Sequence, residues 1–529
     1  MWQQNYTPVA DSLGVSALFA AIPIFVLLIL IGVLRKPAWI AGLAGLGAAI
    51  LVAASVYKMP LGALFASVTM GAAFGLVPIG FIVFTAILLY RVTVESGKFE
   101  ILKNSIGGLT SDRNMQALLI AFAFGAFIEG CSGFGSPVAV AAAMLTGLGF
   151  SPFYAAAICL LANTAPVAFG SIGIPVVTLG AVTGLPVERL SAGVGRICAP
   201  VSLFIPSYLI MVMSGWKGLK SVLPAAAACG ISFAGTQFLV SNFVGPDLTD
   251  ILASLVAMGA LLIVIRLRAE RRESQHTGQE ILMAWAPYAL LVVFVLLWGA
   301  KSGFKTWLIS TDIPVQWAGL HNLIERMPPV VTKPAAYGAV YRFPWLSGAG
   351  TSCLFAAILA AFVVGLKPGQ LLNVVGKTAR QLALAELTLA AVLALAYLMN
   401  YSGATGTLGL AFAATGPAFP FFSALLGWLG VFLTGSDTSA NALFGPLQTV
   451  TANRLNMNPV LMASANSAAG VMGKMISLTS IAVAAAATSM KRSDEALLFR
   501  FTMRHSIFLA SVMGLVVLFY AYVMPVWAP

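Results

Sequence analysis

The chain has 529 residues, of which 60% are hydrophobic and only 9% are charged. Soluble chains carry about 25% charged residues, so a soluble fold could not bury this much apolar surface. The formal net charge is +12, but the Lys and Arg residues stand at the ends of apolar segments instead of in one solvated patch. This distribution excludes a nucleic-acid-binding surface and is typical of the positive-inside bias of membrane proteins.

Apolar segments of about 20 residues predict membrane-spanning helices. We expect about ten to twelve membrane-embedded elements. The clearest are Val15–Leu34, Ala38–Tyr57, Leu248–Ile265, Ile281–Gly299, Ser352–Leu366 and Ile507–Val526. No Lys or Arg precedes the first segment, whereas Arg35 and Lys36 follow it. We therefore expect it to be an uncleaved helix that begins outside the cell.

Polar stretches divide the apolar chain. Residues 266–280 contain several arginines, and we expect them to form a cytoplasmic linker between two membrane halves, 1–265 and 281–529. Residues 301–347 contain several prolines and no helical periodicity, so we expect an outer loop within the second half.

The two halves share an internal repeat. Four landmarks recur in the same order and at nearly equal intervals: Ser96-Gly97, Phe127-x-x-Gly130, Pro152 and Asn163 in one half, and Ser402-Gly403, Phe432-x-x-Gly435, Pro459 and Asn466 in the other. Basic residues flank the start of the first copy but not that of the second, so the charge bias predicts inverted repeats. Inverted repeats with interrupted apolar segments are typical of secondary transporters, in which the substrate binds near the middle of the membrane.

Each repeat is predicted to contain a re-entrant hairpin. In the first, Asn114–Gly130 and Val138–Gly149 flank the polar turn 131–137, and in the second, Phe421–Thr434 leads into the polar turn 435–441. Hydroxyl groups and backbone N–H groups in such turns are suited to a carboxylate, although a surface loop is the alternative. The predicted substrate-binding residues of these turns are Ser132, Gly133, Ser136, Ser436, Thr438, Ser439 and Asn441.

Two further sites are predicted to interrupt apolar helices. They are Asn163-Thr164, before Pro166, and Asn466-Ser467, before Gly470. The free N-terminus of an interrupted helix favours an anion, so these four polar residues are substrate-binding candidates. Lys474 is the cation inside the second segment. We expect it to pair with a substrate carboxylate or with an acidic side chain, and the alternative is a stem that snorkels to the interface.

Glu129 and Asp437 stand beside the two turns in apolar surroundings. A carboxylate in such surroundings is either protonated or paired, so we predict a role in proton coupling. The alternative is a carboxylate that caps a turn. Glu386, within an apolar segment, is a third candidate.

As a set, these motifs resemble the lactate permease family, and the likeness runs along most of the chain. The motifs are Phe124–Gly130, Gly133-Phe-Gly135 with Pro137, Ala162–Gly170, Leu433–Ser439 and Val471–Ser477. The resemblance implies an all-α polytopic membrane protein, namely an inverted-repeat secondary transporter with paired re-entrant hairpins. It also implies proton-coupled symport of L-lactate, D-lactate and glycolate in the bacterial cytoplasmic membrane. The chain departs from the family pattern at Cys131, Ser132, Ala440 and Leu478-Thr479.

The expected partners are therefore a small monocarboxylate anion, a proton and the lipid bilayer, with no nucleic acid. No Walker pattern, no His-Glu-x-x-His and no dinucleotide glycine fingerprint occurs in the sequence, so we expect no cofactor, no metal site and no enzymatic activity. A sodium-coupled or dicarboxylate carrier of the same architecture stays open, because Asp437 and the hydroxyl-rich turns offer oxygen ligands. An anion channel is a further alternative.

Overall fold

A computed structural model describes residues 1–133, 135–268, 276–299, 303–490 and 492–528. Within these ranges, eleven helices are long and apolar enough to cross a membrane, and the bent pair Pro152–Ala162 and Val167–Thr183 makes a twelfth crossing if it counts as one span. This finding confirms the predicted helical, polytopic membrane fold.

The first half of the chain forms twelve α-helices. They are α1 (Leu13–Gly32), α2 (Ala38–Ser55), α3 (Leu61–Phe74), α4 (Phe81–Glu95), α5 (Lys98–Gly107), α6 (Arg113–Gln116), α7 (Gly125–Cys131), α8 (Ser136–Gly147), α9 (Pro152–Ala162), α10 (Gly170–Thr183), α11 (Val187–Phe243) and α12 (Thr249–Leu267). Short π-helical stretches join α3 to α4 and α6 to α7. The 57 residues of α11 are too many for one crossing of about 20 residues.

Helix α11 folds back on itself at Gly215, whose φ of 66° and ψ of −170° interrupt the helix. Its two arms then pack side by side, since the Ser191 hydroxyl donates to the Ser241 carbonyl at 2.8 Å. Glycine is needed at this position because other residues rarely adopt such a conformation. The helix therefore contributes two membrane crossings.

Ten α-helices follow in the second half. They are α13 (Gly278–Gly299), α14 (Gly303–Ser310), α15 (Ala349–Val363), α16 (Pro368–Ser402), α17 (Ala404–Phe412), α18 (Phe419–Thr434), α19 (Asp437–Arg454), α20 (Pro459–Lys474), α21 (Leu478–Ala487) and α22 (Arg492–Tyr522). Helix α12 ends at Leu267 and α13 begins at Gly278, so both ends of the predicted linker are helical. Residues 269–275 of that linker lie outside the described part of the chain.

Within the predicted outer loop 301–347, the described residues 303–347 are partly regular in structure. They contain helix α14 and four strands that build two small sheets together with the N-terminal strand. The strands are β1 (Trp2–Gln3), β2 (Ile313–Gln316), β3 (Ile324–Arg326), β4 (Ala335–Ala336) and β5 (Val340–Phe343). β1 lies parallel to β3 with Trp2 opposite Ile324, while β4 pairs antiparallel with β3 and β2 pairs antiparallel with β5. Strands this short carry too little alternation to be recognised in the sequence.

Two helical hairpins enter from opposite faces of the molecule. Helix α16 connects these faces, because Lys377 near its start pairs with Glu95 at 2.9 Å and the Asn400 carbonyl near its end accepts from Gln4 at 2.8 Å. The first hairpin, from α6 to α8, has its base on the Glu95 face, because Gly147 at the end of α8 lines one surface pocket with Val94. The second, α18 and α19, has its base on the Gln4 face, because Arg454 at the end of α19 lines another with Gln4. The predicted paired hairpins are confirmed.

Candidate functional site

The hairpin tips meet at one cavity of about 300 Å³. Gly135 of the first tip and Gly435 and Ser436 of the second tip line it, together with residues of α10, α16, α20 and α21. Its polar lining consists of Glu129, Ser171, Thr388, Thr434, Ser436, Asp437, Thr438, Ser439, Lys474, Thr479 and Ser480. Part of the predicted site is thus brought together.

Four helices begin at this cavity. Gly135 precedes α8, Ile174 begins the regular part of α10, Asp437 opens α19, and Thr479 lies in the first turn of α21. The N-terminus of a helix carries a partial positive charge and unpaired N–H groups. Four such ends facing one small cavity favour an anion there.

The first hairpin tip is tied to the broken helix behind it. The Ser171 hydroxyl donates to the Ser132 carbonyl at 3.0 Å, and the Ser132 hydroxyl donates to the Ile128 carbonyl at 3.0 Å. Neither Ser132 nor Gly133 nor Ser136 lines the cavity. The structure therefore does not place these three predicted residues at the substrate site. The polar atoms of Ser132 hold the hairpin in place.

The predicted interruption at Asn163-Thr164 is confirmed. Helix α9 ends at Ala162, and regular α10 resumes only after Ser171, Ile172 and Gly173, which have φ values of 48°, 59° and 71°. Left-handed backbone is costly for the β-branched Ile172 and is typically retained at functional sites. Neither Asn163 nor Thr164 lines the cavity, so the break presents Ser171 there instead.

The predicted interruption at Asn466-Ser467 is wrong. Helix α20 continues through both residues to Lys474, and the break falls at residues 475–477. The Asn466 side chain is satisfied across the helix interface, because it donates to Asn441 Oδ1 at 2.9 Å and accepts from Gln448 Nε2 at 3.0 Å. The side chain therefore does not compete for the backbone hydrogen bonds of α20. Ser477 then caps α21 by accepting from the Ser480 N–H at 3.2 Å.

Asp437 is held by hydrogen bonds from buried side chains. Ser467 Oγ donates to its Oδ2 at 2.6 Å, and Asn441 Nδ2 lies 3.4 Å from the same oxygen. Ser436 is the residue that caps α19, since its hydroxyl accepts from the Ser439 N–H at 3.2 Å. The alternative of Asp437 as a capping carboxylate is therefore wrong. Asn441, Asn466 and Ser467 are fully buried and do not line the cavity, and Ser467 and Asn441 hold Asp437 in the cavity wall.

Lys474 is the one Lys or Arg among the described cavity-lining residues. Its Nζ donates to the Gly435 carbonyl at 2.7 Å, so it points into the protein and does not snorkel to the interface. It interacts electrostatically with both Glu129 and Asp437. Within the described ranges, it forms no ion pair with either carboxylate. Its positive charge therefore faces the cavity.

Glu129 lines the cavity and is 4% exposed. It lies against Gly170, where an added Cβ would be 2.6 Å from Oε1, and beside the Asn163 amide. Its Oε2 makes no hydrogen bond of normal geometry with any described residue. Glu386, by contrast, does not line the cavity but packs against Gly80. The structure thus separates Glu386 from the other two acids.

Sequence reasoning missed several residues. Ser171, Thr479 and Ser480 line the cavity, and the departure from the family pattern at Leu478-Thr479 was the available signal for the latter two. Asp250 was also missed, although it is 1% exposed within an apolar helix. Among the described residues, no cluster of three or more His, Cys, Asp or Glu side chains could hold a metal ion.

Comparisons with known proteins identify relatives along nearly the whole chain. Residues 16–524 match the family described as L-lactate permease. The L-lactate permease of Bacillus subtilis is 44% identical, with 96% of each chain covered. The glycolate permease GlcA of Escherichia coli is 42% identical, with 99% of this chain and 98% of the relative covered. Among solved structures, Neisseria gonorrhoeae MtrF gives a TM-score of 0.48 at 13% identity, with 88% of this chain and 85% of that chain covered.

Proposed function

The chain belongs to the L-lactate permease family, and from that premise we propose that it is a proton-coupled symporter of small monocarboxylates. L-lactate is the expected main substrate, and D-lactate and glycolate are expected to share the site. Membership of a permease family makes the chain a transporter and not an enzyme. Its expected direction is uptake across the bacterial cytoplasmic membrane, with residues 266–280 on the inside.

We infer the class of substrate from one observation: four helix N-termini and Lys474 converge on a cavity of about 300 Å³. This volume lies at the lower end of ligand pockets, which span about 300–1,000 Å³. Because Lys474 is the one cation among the described lining residues, a single carboxylate is matched, whereas a dicarboxylate would leave its second charge unpaired. The hydroxyls of Ser436, Thr438 and Ser439 supply donors for the substrate.

Proton coupling is supported by the two acids in the cavity wall. Glu129 and Asp437 are 4% and 3% exposed, and neither has an ion-pair partner within the described part of the chain. The single charge of Lys474 acts on both but cannot neutralise two carboxylates, and taking up a proton removes the cost of the remaining buried charge. The substrate brings a negative charge close to both acids, so its arrival favours their protonation. This linkage is what symport requires.

Alternating access follows from the arrangement of the hairpins. We propose that residues 1–265 and 281–529 each contribute one inverted repeat, and that the hairpin based on the Gln4 face opens to the outside while its counterpart opens to the inside. Movement of one repeat against the other around a fixed site is the usual mode of transporters built this way. The two tips meet at the cavity, where such movement would expose the substrate to one side at a time.

The decisive experiment is uptake of labelled L-lactate by proteoliposomes under an imposed inward proton gradient. We expect accumulation that stops when the gradient is collapsed and that does not need sodium. Full dependence on sodium would instead favour a sodium-coupled carrier, and inhibition by succinate but not by glycolate would favour a dicarboxylate carrier. Flux that no gradient drives uphill would indicate a channel.

A further inference from the structure

Helix α12 brings a third buried acid to the first hairpin. Asp250, in the first turn of α12, is 1% exposed. The end of α7 packs on this turn, because a Cβ added to Gly130 would lie 3.1 Å from the Cβ of Asp250. The carboxyl of Asp250 interacts electrostatically with that of Glu129. Two acids on different helices therefore share one apolar region.

The polar atoms around these acids contain too few donors. Both oxygens of Asp250, Oε2 of Glu129, Oε1 of Gln237 and Oδ1 of Asn163 make no hydrogen bond of normal geometry with any described residue. All five are acceptors when the acids are ionised, whereas the side-chain donors beside them are the Asn163 amide, next to Glu129, and the Gln237 amide, which also donates to the Ala165 carbonyl. Buried polar atoms in native proteins are nearly always paired. A carboxylic O–H would supply the missing donor.

The charges that face Asp250 do not neutralise it. Glu129 faces it from α7, the Cys198 thiol faces it from α11, and the Gln237 amide lies beside it. Lys474 acts on Glu129, and no cation forms an ion pair with Asp250 in the described ranges. Two neighbouring carboxylates in a medium of low dielectric do not both ionise.

We propose that Asp250 and Glu129 form a carboxyl pair that holds one exchangeable proton, and that Asp250 is a second proton-carrying residue of the transport cycle. A proton from the outer solution forms an O–H bond with one carboxylate, and this bond breaks when the proton leaves to the inner solution. No other bond changes. With the linker inside, as proposed, Asp250 lies at the outer end of α12, opposite Arg268, which pairs with Asp112. It therefore stands between the outer face and Glu129.

This inference rests on proton-coupled lactate transport, and the experiment separates the two. Proteoliposomes containing wild type, Asp250→Asn, Asp250→Glu or the control Asp112→Asn are assayed for gradient-driven accumulation of lactate and for lactate exchange at equal pH on both sides. Asp112 is half-buried and caps α6, and asparagine caps a helix as well as aspartate does. The proposed function itself fails if the wild type does not accumulate lactate. Asn keeps the volume of Asp but cannot exchange a proton.

We expect Asp250→Asn to retain exchange within about threefold and to lose at least tenfold in accumulation. Asp250→Glu should accumulate lactate with a shifted pH profile, and Asp112→Asn should match the wild type. Wild-type accumulation by Asp250→Asn would overturn the inference. If Asp250→Asn loses exchange as well, Asp250→Glu decides, since a pH profile identical to that of the wild type would show that the carboxyl at this position is structural.

Discussion

The ammonium nitrogen of Lys474 lies 2.7 Å from the carbonyl oxygen of Gly435. This hydrogen bond joins the last residue of α20 to the tip of the second hairpin, and both residues border the cavity. A substrate carboxylate that binds Lys474 competes with this carbonyl. Binding is therefore expected to loosen the hairpin tip, which provides a direct connection between substrate occupancy and hairpin movement.

Lys474→Ala should abolish lactate accumulation and weaken lactate binding by about 10- to 100-fold, because a hydrogen bond to a charged group contributes about 1.5–3 kcal/mol. Titration of the purified protein with lactate measures the affinity. The control is Lys377→Ala, whose partner Glu95 is on the surface and whose loss costs about 0–1 kcal/mol. Wild-type affinity in Lys474→Ala would remove Lys474 from the site.

Asp437→Asn should insert into the membrane normally but lose proton-driven accumulation. The amide keeps the size of the carboxyl and can still accept from Ser467 Oγ, which lies 2.6 Å from Oδ2 in the wild type, yet it cannot take up a proton. Ser467→Ala is the matched positional variant and should slow transport without uncoupling it. Full accumulation by Asp437→Asn would show that the coupling proton is bound elsewhere.

Gly427→Ala should prevent the second hairpin from packing on α20. An added Cβ would lie 2.7 Å from the backbone carbonyl carbon of Asn466. The backbone of a helix cannot move aside to relieve this clash, so we expect the variant to be destabilised by about 1–3 kcal/mol or more. Gly47→Ala is the control, because nothing lies within 4 Å of its added Cβ. Thermal melting followed by size-exclusion chromatography should show a loss for the first variant alone.

Asp247, in the connection between α11 and α12, should make stability depend on pH. Burial raises its pKa from 3.8 to about 6, although Lys305 acts in the opposite direction. The folded protein therefore binds this proton more tightly than the unfolded chain, and stability falls as pH rises from about 4 to about 6. Asp247→Asn removes this penalty, so its melting temperature should exceed that of the wild type at pH 7.5 and match it at pH 4. Equal temperatures at both values would contradict the burial effect.

Apolar length and local turn chemistry predict the helices and both hairpins. The first helix break follows from Asn163-Thr164 before Pro166, where proline removes a backbone donor. The second break was misplaced at Asn466, because the sequence does not reveal that Asn441 and Gln448 satisfy its side chain from another helix.

The composition of the site was only partly predictable for a related reason. The cavity is lined by the predicted residues Ser436, Asp437, Thr438, Ser439 and Glu129, which lie in or beside the turns, and by the predicted Lys474. Ser132 and Ser136 do not line it. Which face of a tight turn meets the cavity depends on packing between distant segments, here Ser171 on the Ser132 carbonyl. In the sequence alone, Asp250 cannot be distinguished from an ordinary acidic residue in the first turn of a helix.

The most direct measurement is proton influx driven by lactate alone. Liposomes that contain the protein and a pH-sensitive dye are diluted into sodium-free buffer with L-lactate outside and equal pH on both sides. We expect the interior to acidify in the wild type and not in Lys474→Ala. An interior that stays at constant pH while labelled lactate enters the wild-type liposomes would contradict proton-coupled transport.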